Sequence, residues 1–476
     1  MSPRRATPAE PTARRRRVVV VGGGLTGLAT AWHLRDDVEV LLLEASERLG
    51  GEILTASLTG VALDVGADAF LARQPEGEAL ARAAGFGDED LVAPATGQVH
   101  LWVRGRLRPL PPGTVMGVPT DLRAVRRSGV LSPAGLARAG LEPALPRRTV
   151  PGDRSVADLV GERFGREVVD VLVEPLLGGV YAGSADRLSA QASIGPVWQA
   201  AREHRSLTAG LLDHRRRTAA DDSPVFLTLR GGLGQLVDRL ATDLADKVRL
   251  GHAVTGIRPV EDDPTGASWR VTGEGFDEVA DAVVVCVPAT AAARLLAPIV
   301  PDVARELAGI RTASVAVTAL AYDPADAQDV PAGSGFLVPK TEGRMVKAAT
   351  WTSRKWPHQA GHDHFLLRAS VGRIDDPRAL DLDDDDLAER VDAEVRWATG
   401  IRAPARERLV VRWPDALPQY DVGHLARVDR IRVGLAEAGA GLHLGGASLD
   451  GVGIAARARE AMRLAGAVRE RADTAV

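Results

Sequence analysis

Residues Arg17 to Gly51 read RVVVVGGGLTGLATAWHLRDDVEVLLLEASERLGG, and the fold class is decided there. The run Val18–Val21 opens directly into Gly22-x-Gly24-x-x-Gly27 and an apolar segment with helical spacing, which predicts a strand, a glycine turn and a helix. Glycine suits all three places because the turn is tight, a pyrophosphate must reach backbone N–H groups, and the helix must pack closely on the strand. Val38-x-Val40-Leu41-Leu42-Leu43 predicts a second buried strand. It ends on Glu44, about 20 residues beyond the glycines, where a carboxylate accepts from ribose hydroxyls. No arginine directly follows Glu44 to hold a 2′-phosphate, which disfavours NADP. The flanking strands, helix and acid together predict dinucleotide binding.

The next residues, Ala45-Ser-Glu-Arg48-Leu-Gly50-Gly51, add an arginine and a second glycine pair, a layout in which another loop closes over the cofactor phosphates. This arrangement resembles the FAD-dependent amine oxidase and protoporphyrinogen oxidase superfamily. Glu52 departs from it, because those proteins usually carry Lys or Arg there.

A chain of 476 residues predicts two or three domains, and 45% hydrophobic with 26% charged residues is a globular composition. A net charge of −4 gives no reason to expect nucleic acid. The single cysteine, Cys286, excludes an intrachain disulfide or a CxxC site and fits a reducing cytoplasm; it lies in an apolar run and is expected to be a core residue. The N-terminal arm, residues 1–16, is basic and rich in Pro and Ala, so it is expected to be a disordered leader, with contact to an anionic membrane as the other reading.

Leu63–Phe70 predicts a strand entering a glycine turn at Gly66 and Ala67, after which Arg73 would face a substrate cavity, unless it forms a surface ion pair. Prolines and helical spacing mark 111–222 as a helical insert, with helices expected over Gly135–Leu145 and Val156–Leu177. Glu174–Gly183 either lines a hydrophobic pocket or is a helix end capped by glycine. Strands are expected over Lys247–Ile257, at Ala282–Val287 and at Ser314–Leu320. Asp381–Asp386 is expected to be a helix N-terminus, and His358, His362 and His364 a solvated loop, so no metal site is expected. Finally Gly445-Gly446 and Gly451-Val452-Gly453-Ile454 lead into a helix whose N-terminus carries partial positive charge. The expected fold class is α/β: a Rossmann-like FAD-binding domain (17–75, 223–292, 426–476), a mixed-sheet substrate domain (76–110, 293–425) and the helical insert.

Further blocks narrow the likeness: VMGVPT at 115–120, EPLLGGVYAG at 174–183, GSGFLVP at 333–339, Lys355-Trp356-Pro357-His358, Arg412-Trp413-Pro414, Leu417-Pro418-Gln419-Tyr420 and GASLDGVGI at 446–454. Together they resemble the FAD-dependent coproporphyrinogen III / protoporphyrinogen IX oxidase family. The resemblance implies non-covalent FAD held by Gly22, Gly23, Gly24, Leu25, Thr26, Gly27, Glu44, Ala45, Arg48, Gly51, Gly66, Ala67, Val254, Trp413, Asp450, Val452, Gly453 and Ile454. It implies a porphyrinogen substrate and dioxygen as acceptor, with Arg73, Lys355 and Arg344 as candidate propionate contacts and no certain catalytic residue. It also implies a transient contact with a downstream ferrochelatase and at most peripheral membrane association. Gln74 stands where several bacterial relatives carry Lys. Other amine or carotenoid oxidases are a second reading, for which the three tyrosines (Tyr181, Tyr322, Tyr420) leave little to build an aromatic amine cage. A non-catalytic carrier is a third.

Overall fold

The computed structural model describes residues 15–146, 150–218, 224–261, 268–360 and 363–473. The first 14 residues of the predicted leader, the insert boundary at 222 and His362 lie outside the described residues.

Arg17–Val21 is the first strand, β1; Leu25–Leu34 is the first helix, α1; Glu39–Leu43 is the next strand, β2. They enter a five-stranded parallel sheet in the order Val248–Arg249, β2, β1, Ala282–Val285, Leu442–Leu444. A sheet buried on both faces explains the unbroken apolar runs. Successive side chains of a strand alternate between faces, so Val18 and Val20 enter one core with α1 and the closing helix Ile454–Asp473. Val19 and Val21 enter another, with Ala289–Leu296 and a three-stranded antiparallel sheet that begins at Val254–Pro259. Each of these valines, at most 3% exposed, contributes roughly 1.5–3 kcal/mol of burial.

A seven-stranded mixed sheet faces this unit. Its order is Glu407–Pro418, Thr312–Tyr322, Phe365–Val371, Val346–Thr350, Gly335–Leu337, Val99–Val103 and Arg106–Pro109. Helix Asp384–Thr399 packs Leu387, Val391 and Val395 against one face. Its N-cap, Asp383, accepts from the N–H of Asp386 at 2.8 Å, which accounts for the acidic run as helix-start chemistry. The other face meets Leu58, Leu63 and Val65, which lead toward the cofactor unit.

Several elements differ from expectation, and the helix expected over Gly135–Leu145 is Pro133–Gly140 followed by a separate 3-10 turn, Glu142–Ala144. Lys247–Ile257 is two strands, because the N–H groups of Gly251 and His252 bond to the carbonyls of Ser46 (3.0 Å) and Glu44 (2.8 Å) and bend the chain across the end of β2. The helix expected over Val156–Leu177 is interrupted at Gly165 (φ +93°) and passes through one π-turn, Val169–Val173, before resuming at Glu174–Tyr181. That last helix ends on Ala182 in the left-handed conformation (φ +49°) and not on a glycine.

Candidate cofactor and substrate site

The turn after β1 is built by contacts that only glycine permits. Gly22 has φ +103°, and a Cβ on Gly27 would stand 2.0 Å from the carbonyl oxygen of Gly22, so α1 sits directly on the turn. Gly24 is the N-cap of α1 without a side-chain cap, and a Cβ there meets nothing within 4 Å. The first N–H groups of a helix have no partner inside it, so this end presents donors to open space. Leu25, Thr26 and Gly27 form the buried first turn behind it.

Glu44 leaves β2 with its carboxylate fixed: one oxygen accepts from the Gly23 N–H (2.6 Å), the other from the Ser46 N–H (2.8 Å) and hydroxyl (2.7 Å). Lone pairs remain for ribose hydroxyls. Arg48 donates to the carbonyl of Gly51 at 2.7 Å and lies over the Trp413 ring at 5.4 Å, so it shapes the Gly50–Gly51 loop from behind. Trp413 in turn donates to the Val65 carbonyl at 3.0 Å. Gly66 and Ala67 press on Glu52: the Ala67 N–H bonds the Glu52 carbonyl at 3.0 Å, and a Cβ on Gly66 would come within 2.0 Å of that oxygen.

A cleft of about 690 Å³ runs through this assembly. Of the residues named from the sequence, Gly22, Gly24, Glu44, Ala45, Gly51 and Val254 line it, whereas Arg48, Gly66, Ala67 and Trp413 support the wall. The wall also contains Pro418 of the Leu417–Tyr420 block and residues with no recognised motif: His252, Ala253 and Thr255 after the bend, Cys286–Pro288 beyond the fourth strand, Asp415 and Ala416, and Arg457 of the closing helix. The strand end at Cys286–Pro288 was discernible as an apolar run closed by proline; the rest depended on tertiary placement. Cys286 packs in the core with Val18 and Leu28, and burial pushes its thiol far above its usual range. Donors at Gly24, the Glu44 carboxylate and a buried guanidinium nitrogen of Arg457 that lacks a partner together fit FAD.

Gly446–Ser448 line the cleft just before the closing helix, while Asp450 and Val452–Ile454 do not. Asp450 turns away to pair with Arg432 and to meet Glu460, which also accepts from the Gly446 N–H at 3.0 Å. Burial, reinforced by the bond and charge of Asp450, pushes the Glu460 carboxyl up to about 8. The folded chain therefore holds a proton there that the unfolded chain releases, so stability falls as pH rises from about 4.5 to about 8. Glu460→Gln, which keeps the shape without the charge, should raise the thermal midpoint above pH 8 by several degrees and leave it unchanged below 4.5, as measured by calorimetry.

The three propionate candidates are scattered. Lys355 is committed to Asp68 at 2.7 Å, and Arg368 joins the same carboxylate at 2.8 Å. Burial opposes the charge on Asp68, yet Arg368 and Lys355 together hold its carboxyl well below the usual range. Arg368 also donates to the carbonyls of Asp64 (2.8 Å) and Gly66 (2.9 Å), tying that segment to the seven-stranded sheet. The Arg344 guanidinium stacks at 3.8 Å over Trp397 of helix Asp384–Thr399, on the face of the sheet that this helix covers, and does not line the cleft. Arg73 is exposed in the turn after Phe70–Leu71, and Leu71 there pairs with Phe226, both about 40% exposed. In the insert, Tyr181 meets Tyr420 at 5.6 Å, and the Tyr420 hydroxyl donates to the Ala447 carbonyl, joining Glu174–Tyr181 to the cleft wall.

This geometry has known counterparts. A coproporphyrinogen III oxidase of Bacillus subtilis is 35% identical over 92% of the chain and 95% of its own length. One from Mycobacterium bovis is 37% identical over 96% and 98%. A solved chain from Exiguobacterium sp. 255-15, provisionally named a protoporphyrinogen oxidase, superposes with a TM-score of 0.85 at 30% identity, covering 96% of this chain and 99% of that one. The profile of the flavin containing amine oxidoreductases matches residues 25–466, from the first turn of α1 to the closing helix, and the chain belongs to that family.

Proposed function

We propose that the chain catalyses the oxygen-dependent, six-electron oxidation of coproporphyrinogen III to coproporphyrin III in haem biosynthesis. The observation that carries this reading is that the likeness to relatives bearing that name extends beyond the cofactor unit, through the insert and the facing sheet. When bound, FAD would supply a two-electron hydride acceptor at its N5, and dioxygen would take the electrons on as hydrogen peroxide, three rounds per porphyrin.

The residues of the chain then position and exclude. Arg73 binds a propionate by a charge-assisted contact, and exposed Leu71 and Phe226 beside it receive the apolar macrocycle. Tyr181 and Tyr420 keep the insert closed on the wall at Gly446–Ser448. Lys355 acts indirectly, through Asp68, in holding Gly66 and Ala67. Coproporphyrinogen is favoured over the two-propionate substrate because relatives at 35% and 37% identity bear that name, whereas the relative from Arabidopsis thaliana named protoporphyrinogen oxidase is 29% identical; the reaction is assigned to the cytoplasm on that reading.

Anaerobic addition of coproporphyrinogen III should bleach the flavin absorbance, and admitting air should restore it with release of peroxide. Bleaching by protoporphyrinogen IX alone would move the assignment to that substrate; no bleaching by either would remove it. Arg73→Ala should raise KM for coproporphyrinogen about tenfold with little change in kcat, the signature of a contact equally strong in ground and transition states.

A further inference from the structure

Position 52 carries a glutamate at the mouth of the cleft, directly after Gly50–Gly51, where the resemblance leads one to expect a cation. An acid there should repel a diphosphate lying on the α1 N-terminus. The structure contains a compensating group that is far away in sequence. Arg457, one turn into the closing helix, lines the same cleft with its side chain 13% exposed. Its nearest acid is Glu52, at 3.7 Å, a distance that is an ion pair but no hydrogen bond. The Nε of Arg457 is buried without any partner, which is costly for a guanidinium unless a ligand supplies the acceptor. Gly51, the neighbour of Glu52, lies against Gly24, where a Cβ on Gly51 would stand 3.2 Å from the Gly24 Cα. Arg457 and the turn that begins α1 therefore line one cleft, joined along its wall by Gly51 and Glu52.

We propose that Arg457 is the cation that binds the FAD diphosphate, and that Glu52 orients it from the rim. The positive charge expected on the Gly50–Gly51 loop has moved to the closing helix, and a carboxylate has taken its former place. Arg457 supplies the acceptor-seeking N–H groups, and the two-oxygen face of a phosphate satisfies the Nε that the protein leaves open. Glu52 keeps the side chain extended across the cleft but competes with the phosphate for it. The inference rests on FAD as cofactor and is independent of the substrate, so it stands or falls separately from the porphyrinogen reading.

The test uses deflavinated full-length protein titrated with FAD, with riboflavin, which lacks phosphate, and with ADP, which lacks the flavin ring; flavin fluorescence reports the first two and calorimetry the third. Arg457→Ala should weaken FAD and ADP by about 30-fold, leave riboflavin within about twofold, and flatten the salt dependence of FAD binding. Arg457→Lys should recover part of the loss. Glu52→Gln, a change at a half-exposed side chain, should tighten FAD about threefold. Unchanged FAD affinity in Arg457→Ala, or an equal loss for riboflavin and FAD, would overturn the proposal. If Arg457→Ala fails to fold, the volume-matched Arg457→Met should show the same selective loss of FAD and ADP, and unchanged FAD affinity in both Arg457→Met and Glu52→Gln would overturn the proposal equally.

Discussion

Gly27→Val should purify colourless and poorly folded. The added carbons have no room: a Cβ alone comes within 2.0 Å of the Gly22 carbonyl oxygen and 3.1 Å of the Cys286 side chain, both fixed by the parallel sheet. Relief requires α1 to lift from β1, which removes the donors at its N-terminus from the cleft and opens the core that Val18, Leu28 and Leu464 share. Forced overpacking of this kind costs at least about 3 kcal/mol, and cofactor binding is lost with the geometry. Gly24→Ala is the informative contrast. Gly24 has an ordinary φ of −63°, and its Cβ meets no protein atom, so the apoprotein should melt like the parent. The methyl group points into open cleft instead, and FAD affinity should fall by about 100-fold or more. Equal FAD affinity in parent and Gly24→Ala, measured by fluorescence titration, would mean that the diphosphate does not lie where the turn presents it.

The second large effect is expected at Asp68. In Asp68→Ala two half-buried cations, Lys355 (17% exposed) and Arg368 (15%), would face each other without the carboxylate that joins them. Leaving such charges uncompensated costs about 3 kcal/mol. Asp68→Asn, which keeps an acceptor oxygen, should cost about half of that. Because the folded carboxyl is held below its ordinary value of 3.8, its contribution is present at all pH values above that point and is lost as pH falls below it. Parent and Asp68→Ala should therefore differ fully at pH 7 and converge in strong acid, as followed by denaturant titration. Faster FAD release from the variant is also expected, since Arg368 holds the Asp64 and Gly66 carbonyls against the wall.

The opening unit was legible because its signals are local. Strand, turn, helix and acid lie within one βαβ stretch, and each residue type there has a backbone reason. Glu44 could be placed to the atom's neighbourhood from spacing alone. The remainder of the cleft was not legible in the same way. His252, Ala253 and Thr255, unlike Val254, have no motif; they line the wall because two backbone bonds to Glu44 and Ser46 bend an otherwise strand-like segment. Arg457 sits in an alanine- and arginine-rich helix in which Arg459, Arg463 and Arg469 are more exposed, and only packing distinguishes it. Lys355 and Arg344 had the right charge for a propionate, but charge in a sequence does not reveal a partner: Asp68 and Trp397 already occupy them. Asp450 is close to the glycine turn in sequence, yet its side chain faces Glu460 and Arg432.

The parallel sheet has a consequence for how the protein is made. Its first two strands lie within residues 17–43, but the strand on the outer edge is Leu442–Leu444, and the cleft is not walled until Gly446–Ser448 and Arg457 arrive. A ribosome delivers these last, so the nascent chain carries the glycine turn and Glu44 long before the cleft that fits a whole flavin is closed. Vitamin supply should therefore act on the released polypeptide, as a clasp that joins its two ends, and a chain truncated by a few tens of residues would be born unable to colour.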